Sequence, residues 1–169
     1  MATSAELVGD TFSRVRETVG SVLDQTPEHR LADPPAPGAN TVAWLVWHLT
    51  RILDDHTARA FGREQQWTSA GWYDRFALPF EPDDHGYGHS WDDVLAVQVD
   101  ATDLRGYHDA VQDAVATMLE GVGDDELDRV VDDSWDPPVT LAVRLVSVVN
   151  DITQHAGQAA YAAGIIARA

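Results

Sequence analysis

From about Thr140 to Ile166 the chain is dominated by Val, Leu, Ile and Ala, and Asp151 is the only carboxylate in the run. A segment this apolar, and this long, reads as a helix that other elements must cover. Asp151 and His155 sit inside it, in Asn150-Asp151-Ile152-Thr153-Gln154-His155-Ala156-Gly157-Gln158. Positions i and i+4 share one helical face, with Cβ atoms roughly 5–6 Å apart. That spacing lets two side chains hold one cation.

The rest of the chain supplies what such a helix would pack against. Residues from about Ser4 to Gln25 place Leu7, Val8, Phe12, Val15, Val19, Val22 and Leu23 at helical spacing. Pro34, Pro35, Pro37 and Gly38 mark a turn, after which Asn40 is the expected N-cap of a second helix running from Thr41 to about Phe61. Residues 62–90 lack a sustained period and interleave glycine and proline with Trp67, Trp72, Tyr73, Phe76, Phe80 and Tyr87. A polar linker would not carry so many aromatics, so this is expected to be a long ordered loop over one end of the core. A third helix is expected from Trp91 to about Leu119, bent near Asp100 to Gly106 and stopped by Gly121 and Gly123. Asp124 to Asp133 can form a short helix or an extended piece. Trp135-Asp136-Pro137-Pro138 is a rigid connector, and Thr140 can cap the fourth helix. Four long helical segments without strand alternation or internal repeat predict an all-α fold, a four-helix bundle forming a single domain over residues 1–169.

Composition narrows the function. The chain has no cysteine, so disulfides, thiolate metal sites and cysteine nucleophiles are excluded, and any reactive thiol must arrive with a substrate. A formal net charge of −17 disfavours phosphate backbones and hence nucleic acid. All 11 basic residues are arginine, a compositional trait without mechanistic content. The N-terminus lacks a signal peptide's basic start and apolar core, and no apolar run approaches the ~20 residues of a membrane span. A cytoplasmic location is expected.

On a helical wheel Asp151 and His155 are about 40° apart, and Arg144 and Gln158 lie about 20° from Asp151. A solvated face would explain this polar stripe. Against it, Ala156, Gly157, Ala159 and Ala160 suit close helix packing. A third ligand is available on helix two, where His48 lies within Trp44-Leu45-Val46-Trp47-His48-Leu49. A core histidine bonded to a backbone carbonyl is the plain alternative. Two imidazoles and one carboxylate are nevertheless a donor set typical of an open zinc site. Of the other histidines, His56 reads as exposed, His85 and His89 as surface loop residues in preference to facing the mouth of a site, His108 as facing either way, and His29 as a turn residue without a role.

The histidine in helix two together with the Asp151-x-x-x-His155-x-Gly157-Gln158 segment resembles the DinB-like superfamily. Trp44-Leu45-Val46-Trp47-His48-Leu49-Thr50-Arg51, Gly71-Trp72 with Asp74-Arg75-Phe76, and Trp135-Asp136-Pro137-Pro138 resemble its mycothiol-dependent branch. That branch includes the metal-binding domain of mycothiol-dependent maleylpyruvate isomerase, whose second domain has no counterpart in 169 residues. The resemblance spans about Glu6 to Ile166. It implies an up-down-down-up bundle, commonly paired into a homodimer, that holds a divalent metal (zinc, or alternatively nickel) through His48, Asp151 and His155. Many members carry histidine where this chain has Asp151; others carry an acidic residue there.

The function expected on these grounds is metal-dependent S-transfer, with a low-molecular-weight thiol, mycothiol in this branch, attacking a small electrophile. Arg144 could pair with an anionic group on thiol or substrate, or form a surface ion pair. The competing readings are a hydrolase using metal-activated water and a non-catalytic metal-binding or stress-related protein whose metal is vestigial or absent.

Overall fold

The computed structural model of the protein describes residues 2–168. Its first helix, α1 (Ser4–Gln25), opens with a reciprocal capping box in which Thr3 and Glu6 satisfy each other's backbone N–H. Helix α2 (Val42–Phe61) is capped by the hydroxyl of Thr41, one residue later than expected, and ends at Gly62 in the left-handed region, φ 62°. Helix α7 (Leu141–Ile166) is capped by Thr140 as expected.

The third long helix differs from its prediction. It is two pieces, α5 (Trp91–Ala96) and α6 (Ala101–Leu119), joined by residues 97–100. Val97 is fully buried and pins the joint, while the Asp100 carboxylate accepts from the Asp103 N–H and starts a fresh helix. Gly106 is not a bend. It lies within α6 because a Cβ there would come within 2.7 Å of the Trp72 ring. The aromatic loop likewise contains two short helices, α3 (Gln66–Ser69) and α4 (Trp72–Phe76). Beyond α6, a 3₁₀ turn leads into a small antiparallel hairpin, β1 (Val130–Asp132) with β2 (Val139–Thr140), and the Trp135–Pro138 connector forms its turn.

In cross-section α1 touches α6 and α7, and α2 touches the same two from the opposite corner. Arg16 of α1 pairs with Asp109 and Asp113 of α6, and Asp24 pairs with Arg105, so those helices are antiparallel. Arg30, just after α1, donates to the carbonyl of Ile166, so α1 and α7 end together. His48 and Arg59 of α2 face His155 and Arg144 of α7 respectively, which makes that pair antiparallel. The order is up-down-down-up.

The outer side of α2, which an ordinary bundle helix turns to solvent, is roofed by the segment from α3 to α5. That is why α2 buries polar residues (His48, Arg51, Asp54 and Asp55) as well as apolar ones. Trp67 at the centre of the roof packs on Trp47, Phe76 and Tyr107, and the Asp54 carboxylate accepts the backbone N–H of Gln66 and Trp67. Among the described residues no helix is long and apolar enough to cross a membrane.

His108 of α6 points inward, where its Nδ1–H donates to the Thr50 hydroxyl and its Nε2 accepts from Gln112. Burial pushes its pKa down to about 4. The unfolded imidazole titrates near 6.5. Between these values the unfolded chain takes up a proton that the folded chain refuses, so stability is lost as pH falls. Urea unfolding should show the wild type losing about 1–2 kcal/mol more than His108→Gln between pH 7 and pH 5. Equal losses would mean the imidazole is not held neutral.

Candidate metal centre

His48 is 4% exposed on the inner face of α2, stacked flat on Trp44 with ring centroids 4.6 Å apart. Its Nδ1–H donates to the carbonyl of His85 at 2.5 Å, which leaves Nε2 unprotonated. Burial pushes its pKa down to about 4, so the ring is neutral at physiological pH. His155 of α7 meets the His48 ring edge to face at 4.6 Å. Its Nδ1–H donates to Gln158 Oε1 at 2.9 Å, so here too the donor left over is Nε2. The Nε2 of His155 stands 3.8 Å from Asp151 Oδ2.

One ligand atom from each of His48, Asp151 and His155 lies within 4.8 Å of the other two. A cation with donors at about 2.0–2.2 Å spans up to about 4.4 Å, within a small side-chain adjustment of this group. The chemistry of the set also fits. Asp151 Oδ1 is buried with no hydrogen-bond partner, and burial raises the carboxyl pKa despite the nearby His155. A divalent ion would satisfy such an oxygen. Three protein donors of these types are the set of a zinc site whose remaining position is left to water or substrate.

Two loop histidines expected at the surface are part of the site's walls instead. His89 accepts from the Trp44 indole N–H at 3.1 Å, donates to the Asp84 carboxylate, and packs against Trp47 and Phe80. His85 supplies the carbonyl that orients His48 and buries its own Nδ1 without a partner. The loop turns both inward because its aromatics pack onto α2. His56, expected to be exposed, is half-buried and bonded to Asp55 at 3.1 Å. His29 lies in the 3₁₀ turn Glu28–Arg30.

Arg144 is not within the three-donor group. Its Nη2 donates to Asp132 Oδ2 at 2.9 Å, and it lines a cleft of about 420 Å³ with His56, Arg59, Ser134 and Trp135. The cleft follows the groove between α2 and α7, about two helical turns from Asp151. Composition alone could not single out the carbonyl of His85 or the Trp44 ring. The only signal was that Trp44 falls one turn before His48.

The family model of the DinB superfamily matches residues 11–159. A crystal structure of a conserved protein from Enterococcus faecalis is similar over 98% of this chain and 98% of its own, at 29% identity and a TM-score of 0.90. No curated protein matches the chain. With an all-α bundle and a group of His48, Asp151 and His155 that could hold a metal, the chain belongs to the DinB superfamily.

Proposed function

We propose that the protein is a divalent-metal-dependent thiol S-transferase of the mycothiol-using branch. The observation that carries this reading is the convergence, among the described residues, of His48, Asp151 and His155 as a three-donor group in a chain without cysteine. A metal there, zinc or alternatively nickel, supplies Lewis acidity that lowers the pKa of a thiol from its ordinary value near 8.5. The protein's own side chains do the rest. Gln158 and the carbonyl of His85 fix which nitrogen each imidazole presents. Trp44, Trp47 and the 84–89 segment exclude water from one side of the site.

Arg144 and Arg59 are each tied to one acid, Asp132 and Asp55, through a single nitrogen. A guanidinium has five donors, so both keep some for an anionic group on the thiol or on the small electrophile, with Trp135 as an exposed flat face beside them. We place the protein in the cytoplasm as a homodimer. The outer face of α7, with Val143, Val146, Asn150, Thr153, Gln154 and Tyr161, carries no charge in a chain of net charge −17 and would suit a second copy.

The test is turnover of a chlorinated-aromatic and epoxide panel with and without mycothiol. Thiol should accelerate the reaction, and Arg144→Gln should raise the KM for the anionic partner about tenfold with kcat nearly unchanged, the loss of one charge-assisted hydrogen bond. Equal rates with and without thiol would replace this reading by metal-dependent hydrolysis.

A further inference from the structure

Arg51 lies three residues after His48 and is 0% exposed, an unusual place for a guanidinium. Its bonds explain what it holds. Nε donates to the carbonyl of Asp84 at 3.0 Å, and Nη2 reaches the carbonyl of Pro82 at 3.5 Å. Nη1 donates to Gln65 Oε1 at 2.8 Å and Tyr107 Oη at 3.3 Å, and the group lies over the Trp67 ring at 5.0 Å. Two of these acceptors belong to the backbone immediately before His85, whose carbonyl receives the His48 proton. Asp84 then caps the Gly86 N–H at 2.7 Å and holds His89. Gly86 has φ 92°, and a Cβ on it would lie 2.9 Å from both His48 Nδ1 and the Trp47 ring. Residues 82–86 therefore form a strap pressed onto His48 and drawn down from inside by Arg51.

We infer that Arg51 is a positioning residue for the metal centre: by clamping the carbonyls of Pro82 and Asp84 it sets the carbonyl of His85, and through it the tautomer and aim of His48. The effect on metal affinity rests on the metal reading above; the effect on His48 does not. A lysine keeps the charge but offers one compact ammonium, which cannot hold two carbonyls and Gln65 together. Partners that orient a ligating histidine are worth about 10–100-fold in metal affinity.

The test compares Arg51→Lys and Gly86→Ala with Val115→Ala, a core truncation on α6. Both strap variants should bind Zn²⁺ about 10–100-fold more weakly in chelator competition and shift the visible absorption of the Co²⁺-loaded protein. Val115→Ala should lose stability yet keep wild-type affinity and spectrum. In metal-free protein, ¹⁵N NMR of the histidine rings should show His48 with its proton on Nδ1 in the wild type and a mixture of tautomers in the strap variants. Unchanged affinity, spectrum and tautomer in the strap variants would overturn the inference, and so would an equal loss of affinity in Val115→Ala. Should Arg51→Lys fail to fold, Gly86→Ala carries the comparison. If the wild type takes up no Zn²⁺, the metal reading fails by itself. The tautomer measurement then decides the strap, an unchanged His48 counting against it.

Discussion

Purified His155→Ala protein is expected to retain no stoichiometric divalent metal by elemental analysis, where the wild type carries a full complement. Groups that only orient a metal-ligating histidine are worth about 10–100-fold in affinity, so loss of one of three donors should cost at least about 100-fold. The fold should survive. His155 is only partly buried, its bond to Gln158 is local to α7, and alanine is the best helix former. Metal retained at wild-type stoichiometry in a folded variant would remove His155 from the ligand set, and with it the basis for the proposed chemistry.

Asp151→Ala should separate stability from function. In metal-free protein one oxygen of Asp151 is buried without a partner, and the folded environment disfavours its charge. An unsatisfied buried polar group costs about 1–3 kcal/mol. The side chain is 35% exposed, so solvent screening reduces the expected gain on its removal to about 1 kcal/mol. Metal-free Asp151→Ala should therefore unfold at a higher urea concentration than metal-free wild type. Excess metal should reverse the order. At 1,000 times Kd a ligand stabilises the wild type by about 4 kcal/mol, and the variant, its affinity lowered at least about 100-fold, should gain little. A variant less stable than wild type in both conditions would show that Asp151 is a structural residue rather than an unpaired ligand.

The elements were legible to different depths. α1, α2 and α7 could be placed from apolar periodicity and capping residues because their signals are local: a 3.6-residue repeat, Thr140 before α7, Gly62 after α2. The interruption at residues 97–100 was harder. Apolar residues continue through Val94, Val97 and Val99, and the evidence for a break is the Asp100 cap together with the packing that buries Val97. Gly106 misled in the opposite direction, since its reason is the Trp72 ring from a distant segment. The loop was recognisable as ordered from its aromatics. Its direction of folding is not, and so the sequence favours the surface for His85 and His89 over the mouth of the site whose walls they form.

By itself the amino-acid sequence determined the helices α1, α2 and α7, the absence of an internal thiol, and the pairing of Asp151 with His155 on one helical face. These are properties of short windows and composition. Only the tertiary structure decided that His48 meets that pair within 4.8 Å, that Arg144 instead contacts Asp132, and that a strap clamped by Arg51 orients His48. Each of those depends on chain segments that periodicity cannot align, because a helical repeat states which face is buried and not which partner covers it. For α7 the partner is α2. For α2 it is also the aromatic roof, and its buried His48 and Arg51 are set by that second layer.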